Sequence, residues 1–115
     1  MHETWAVLIG MGTFRDEKLP KIPMVKNLTR LQKVLVNPEI MGLPPTQLII
    51  IENQENLYHQ LITAFEKIPN LLDTLIIYYV GHGIRHPDQL YLASVESKND
   101  DPKSALSLQD LWELT

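Results

Sequence analysis

Thr74-Leu75-Ile76-Ile77-Tyr78-Tyr79-Val80 is the strongest strand signal in the chain, and Gly81-His82-Gly83 breaks it abruptly. Two further apolar runs lie upstream of it. Trp5-Ala6-Val7-Leu8-Ile9 is continuous and closed by Gly10, which suits a strand buried on both faces. Leu48-Ile49-Ile50-Ile51 is rich in β-branched residues. Between these two runs Val25, Leu28, Leu31 and Leu35 recur at helical spacing with Lys26, Arg30 and Lys33 among them, so a helix is expected from Met24 to Val36. Asn37-Pro38 ends it, because the residue before a proline is pushed away from helical dihedrals. Ahead of the third run, Leu57, Leu61, Ile62, Phe65 and Ile68 fall on one side of a second helix, with Asn53 as its expected cap. Strand alternating with helix predicts an α/β fold in which the three runs are parallel neighbours and helices cover both faces.

The remaining segments complete the outline. Gly10 to Pro23, with its glycines, prolines and the charged cluster Arg15-Asp16-Glu17-Lys18, reads as a long loop of the kind that is often functional. A shorter strand is expected at Leu90-Tyr91-Leu92-Ala93 and a polar loop from Glu96 to Lys103. Ser107, with Asp110 three residues on, resembles a capping box that opens a last helix, which Thr115 cuts short. In open sheets of this kind sites form beyond the carboxyl ends of the strands. Gly81-His82-Gly83 and the loop Gly10 to Pro23 both fall there.

Composition narrows the function. A chain of 115 residues with 44% hydrophobic content supports one domain, residues 1–115. Its net charge of −4, from 10 Lys+Arg against 14 Asp+Glu without a basic run, offers no footprint for a phosphate backbone, so nucleic acid is not an expected partner. No apolar stretch approaches the roughly 20 residues of a membrane span, and Met1-His2-Glu3-Thr4 has neither a basic nor a long apolar leader region. No membrane contact and a cytoplasmic setting are therefore expected. The absence of cysteine excludes disulfides, thiolate metal sites and a thiol nucleophile within these residues.

Among candidate site residues His82 stands first. Glycines on both sides let the backbone approach a ligand closely while the imidazole projects from a strand end, as a catalytic base requires. The same three residues also describe a simple turn with a solvated histidine. Gly10-Met11-Gly12 begins like a dinucleotide fingerprint, but Arg15 stands where the third glycine belongs. His82 and His86 lie in a loop with Pro87 after them and no further ligand cluster, so no metal and no cofactor is expected. His2 is read as part of the terminus and His59 as a helix-surface residue; Trp5 is assigned to the core, and Trp112 to a core that further chain would complete. Arg15 and Asp16 are candidate substrate contacts. Arginine pairs well with an acidic side chain, Asp16 and Glu17 with a basic one, and a solvated loop arginine is the plain alternative.

Tyr78-Tyr79-Val80-Gly81-His82-Gly83 resembles the histidine motif of caspase-like cysteine peptidases of the bacterial caspase and metacaspase type, in which two aromatics end the strand and a small residue precedes Gly-His-Gly. Trp5 to Gly10 is similar to the opening strand of that family, Leu19 to Leu28 to its loop with a Leu-Pro pair leading into the first helix, and Ala105-Leu106-Ser107-Leu108 to its segment after the histidine loop. The resemblance covers nearly the whole chain with one specific motif. Leu28 departs from it, since many relatives carry an acidic residue after the asparagine, a change that bears on loop anchoring.

The resemblance implies a three-layer α/β/α caspase-like fold with a mostly parallel sheet, here incomplete, and the first strand between the other two. It also implies a cysteine that attacks the peptide carbonyl while His82 handles protons, with backbone N–H groups of Gly83 and of the cysteine holding the oxyanion. Caspases place the cysteine about 50 residues after the histidine, which in this numbering lies beyond Thr115. The chain is then the N-terminal, histidine-bearing portion of a peptidase domain, or a caspase-like interaction module without catalysis. The expected partners are a protein or peptide substrate and a cysteine-bearing remainder or partner chain. Substrates ending in Asp and in Arg or Lys both remain open.

Overall fold

Ala6, Val7, Leu8 and Ile9 are fully buried in succession, which a strand achieves only with cover on both of its faces. In the computed structural model, which describes residues 3–23 and 25–115, that strand is β1 (Thr4–Gly10). It lies at the centre of a three-stranded parallel sheet, between β2 (Leu48–Glu52) and β3 (Thr74–Val80). Ala6 stands opposite Leu48 on one side and Ile76 on the other, and the register continues to Gly10, opposite Glu52 and Val80. The parallel pairing and the middle place of β1 agree with expectation.

Alternation along β1 divides the core in two. Ala6 and Leu8 pack with Leu28 and Leu35 of α1 (Val25–Val36) and with Leu43. Val7 and Ile9 pack with Leu57, Leu61 and Ala64 of α2 (Leu57–Glu66), with Leu111 and Leu114 of α3 (Leu108–Leu114) alongside. The protein is thus a mixed α/β structure with three helices on the two faces of a parallel sheet. Leu28 is a core residue on the inner face of α1.

Several expectations are corrected. Asn53 does not cap α2: the cap is Asn56, whose side chain accepts from the His59 N–H. Asn53 cannot serve there because its side chain is turned back to the loop after β1. Ile68 packs on the core but lies past the helix, which closes at Lys67. The strand at Leu90–Leu92 (β5) stands outside the parallel sheet. It pairs antiparallel with β4 (Gly83–Arg85) and with β6 (Leu106–Ser107), forming a second, three-stranded sheet in the order β4-β5-β6. Gly83 therefore belongs to a strand and not to a turn. Ser107 caps α3 as expected, accepting from the Asp110 N–H.

His59 is exposed on α2, and Trp5 is half-buried with its indole N–H donating to Glu3. Trp112 is 78% exposed, so it is not core within this chain. With Leu75 and Ile77 of β3, Leu92 of β5 and Leu108 of α3 it lines an apolar groove, and among the described residues β3 is an edge strand of the parallel sheet. The readings of His2 and Met24 lie outside the described residues. Among the described residues no helix is long and apolar enough to cross a membrane.

Candidate active site

Three strand ends converge on one side of the parallel sheet. The Met11 N–H donates to Val80 O at 2.9 Å, and the Asn53 N–H to Gly10 O at 2.8 Å. Asn53 leaves β2 with φ 49°, in the left-handed region that asparagine tolerates better than most residues. Its side-chain Oδ1 accepts from the N–H groups of Gly12 at 2.8 Å and Thr13 at 3.2 Å. The loop after β1 is closed on itself by the Ile22 N–H donating to Gly12 O at 2.8 Å. Replacing Asn53 by Ala removes the acceptor for two backbone donors, one on a buried residue, and is expected to cost about 1–3 kcal/mol. Urea unfolding measures the loss, and amide exchange at Gly12 and Thr13 should accelerate with it; unchanged exchange would contradict the tether.

His82 follows β3 and is half-buried. Its Nε2 lies 2.6 Å from Pro20 O. A backbone carbonyl can only accept, so Nε2 carries a proton, and in the neutral ring the lone pair resides on Nδ1. Among the described residues Nδ1 has no hydrogen-bond partner. The Phe14 ring meets the imidazole edge-on, centroids 4.9 Å apart at 63°. The His82 carbonyl accepts from the Ala93 N–H at 3.0 Å, and the Tyr79 hydroxyl shares its one proton between Ala93 O at 2.7 Å and His82 O at 3.0 Å. Burial pushes the Tyr79 phenol well above its ordinary pKa, so it remains a donor across the range in which imidazole titrates.

Gly83 lies opposite Leu92 at the start of β4. The bonds flanking this pair run from the Ala93 N–H to His82 O, and those at the far end of the hairpin from the His86 N–H to Gln89 O. In an antiparallel ladder that pattern makes Gly83 and Leu92 a non-hydrogen-bonded pair. The Gly83 N–H therefore points away from β5, on the outer edge of a strand that ends its sheet. A Cβ at Gly83 would come within 2.8 Å of Leu90 Cδ1, but Leu90 is 39% exposed and has room to swing aside.

Arg15 and Asp16 follow Phe14 in the same loop and are placed differently from each other. Arg15 forms an ion pair with Glu55 at the surface. The Asp16 carboxylate accepts from the Lys18 N–H at 2.9 Å and the Asn99 N–H at 2.7 Å, the second bond tying this loop to the segment before α3. The Asn99 and Lys18 N–H donors hold the Asp16 carboxyl below its usual pKa. A carboxyl whose folded pKa is depressed stabilises the folded form above its unfolded pKa, and that stability is lost as pH falls through the folded value. Acidification through the depressed folded value, below the ordinary carboxylate range, should therefore release Asn99 from Asp16. The Asn99 amide exchange rate, after correction for intrinsic exchange, should rise on the acid side in the native chain. In Asp16→Asn it should be high already at neutral pH; a pH-independent Asn99 in the native chain would contradict this.

His86 sits exposed on the β4–β5 hairpin, and the described residues hold no group of three His, Cys, Asp or Glu able to bind a metal. Gly12, the second glycine of the dinucleotide-like run, has its N–H taken by Asn53. The structure thus brings His82, Gly83 and the loop bearing Phe14 and Pro20 together, with Arg15 and Asp16 farther along that loop engaged by other partners. Sequence reasoning passed over Pro20, Tyr79 and the bridging role of Asn53. Pro20 acts through its carbonyl oxygen, a group that every residue possesses and no pattern marks. Tyr79 carries a readable signal, a phenol at the end of an apolar strand, which must find a partner for its hydroxyl. No protein-family model matches the sequence, and no curated protein matches it.

Proposed function

We propose that this chain is the histidine-bearing portion of a caspase-like cysteine endopeptidase, of three-layer α/β/α architecture, whose nucleophilic cysteine comes from a continuation or a partner chain. The observation that carries this reading is the pairing of a histidine whose Nδ1 has no partner among the described residues, held at Nε2 by Pro20 O, with the outward N–H of the next residue, Gly83.

The proposed chemistry follows from those atoms. Nδ1 takes the thiol proton, and the thiolate adds to the peptide carbonyl carbon, placing negative charge on its oxygen near the Gly83 N–H. The protonated ring keeps its Nε2–H on Pro20 O, a bond that strengthens when the ring is cationic. Collapse breaks the C–N bond, and Nδ1–H passes its proton to the leaving amine. Water then hydrolyses the thioester, with Nδ1 again accepting a proton. A cytoplasmic setting would keep such a thiol reduced.

The proposed partner seats along β3. Among the described residues that strand pairs on one side only, and Leu75 and Ile77 on it line an apolar groove with Leu108 and Trp112. An unpaired edge with apolar flanks accepts a further strand readily. The substrate is a peptide or protein. The Arg15–Glu55 pair and the Asp16 tether leave Asp, Lys and Arg substrates as arms of one assay. The test of the reading is the coding sequence downstream of Thr115: an Asp-x-Cys-type segment about 50 residues after His82 is expected. A downstream sequence without any cysteine would overturn the enzyme reading in favour of a non-catalytic module.

A further inference from the structure

We propose that Tyr79 is the positioning residue of His82, the single proton of its hydroxyl shared between the His82 and Ala93 carbonyls in a three-centre hydrogen bond, so that the imidazole keeps its proton on Nε2 and its lone pair on Nδ1. The need for a clamp follows from the flanking residues. Glycine on both sides of His82 gives this backbone unusual freedom, and the hairpin after it pairs over only three residues. One bond from the Ala93 N–H would leave the His82 peptide able to rock, and with it the ring.

The Tyr79 hydroxyl supplies a rigid second point. It is carried by an aromatic ring on β3, which is paired to the buried central strand over Thr74–Val80. From there it reaches His82 O at 3.0 Å and Ala93 O at 2.7 Å, joining the parallel sheet to the small antiparallel one at the point where His82 emerges. Gly81 is explained by the same contact. A Cβ at position 81 would overlap the Tyr79 hydroxyl and Cζ and press on Met11 Cβ at 3.2 Å, so only glycine leaves the hydroxyl its place. The remaining constraints, Pro20 O on Nε2 and Phe14 against the ring, hold the imidazole tip and edge but not its backbone.

The test reads the ring nitrogens directly, by long-range 1H–15N spectra of the 115-residue chain with labelled histidine, His82 being assigned through its loss in His82→Ala. The native chain should show the Nε2–H form as the dominant neutral tautomer of His82. In Tyr79→Phe the Nδ1–H form should rise roughly five- to tenfold, the ratio expected for one lost hydrogen bond. Gly81→Ala retains the hydroxyl but denies it space, and should produce the same shift; should Tyr79→Phe fail to fold, this variant decides. An unchanged His82 tautomer ratio in the folded variants overturns the proposal. The activity arm rests on the peptidase reading: in a cysteine-completed domain, Tyr79→Phe should lower kcat by a similar factor with KM little altered. A native completed domain without activity would sink the peptidase reading while leaving the tautomer measurement to decide the role of Tyr79.

Discussion

On the proposed peptidase reading, His82→Ala in a domain completed with a cysteine-bearing segment is expected to reduce peptide turnover by on the order of a thousandfold, within the range that a positioned proton-transfer group supplies. Without the ring the thiol has no acceptor for its proton and the leaving amine has no donor. Folding should survive, because the contacts that fix this part of the chain to its neighbours use the backbone carbonyl of His82, which alanine retains. The lost Nε2 bond to Pro20 O and the Phe14 contact should cost about 1 kcal/mol. A urea titration beside the kinetics separates the two effects. His86→Ala should be close to native in both, since that side chain is exposed on the hairpin. Gly83→Val should resemble His82→Ala more than a folding defect: the added side chain displaces the partly exposed Leu90 and crowds the edge from which the N–H projects.

Leu8→Ala should have the largest effect on stability, a loss of about 2–5 kcal/mol, out of a total that for domains generally is about 5–15 kcal/mol. Leu8 is fully buried at the centre of the middle strand and packs on Leu28, Leu35 and Leu43. Truncating it opens a cavity beneath α1 that β1, held between β2 and β3, cannot move to fill. Ile50, its register partner on β2, is 41% exposed, and Ile50→Ala should cost well under half as much. The urea midpoints of the two variants make the comparison. Equal losses would contradict the central place of β1 and the division of the core on its two faces.

The three parallel strands were readable in the sequence because Trp5–Ile9, Leu48–Ile51 and Leu75–Val80 are apolar without interruption, and β1 and β3 each meet the core on both faces, fully buried over Ala6–Ile9 of β1 and half-buried along β3. The Ser107 cap was readable because a hydroxyl ahead of a helix has a specific donor to satisfy. Asn53 and Asn56 were not separable in the same way. Both are asparagines ahead of one apolar helical face, and both adopt positive φ; only the distant loop at Gly12 and Thr13 decides which of them is free to cap. The short strands β4 and β6 span three and two residues, too few for any alternation to register. At the candidate site the histidine and its flanking glycines announced themselves by type. The carbonyl of Pro20 did not, and Asp16 read as a free acid because its backbone partner Asn99 is remote in sequence.

The central claim is that His82 and Gly83 serve a cysteine that this chain lacks, and peptide cleavage tests it most directly. Fluorogenic peptides ending in Arg, Lys or Asp should be offered to the 115-residue chain alone, to the domain completed with its downstream segment, and to that domain with the cysteine changed to Ala. The account predicts turnover by the completed domain on at least one of the three peptide classes, and none by the chain alone or by the Cys→Ala domain. Cleavage by the 115-residue chain alone, or undiminished cleavage after the cysteine is removed, would contradict it.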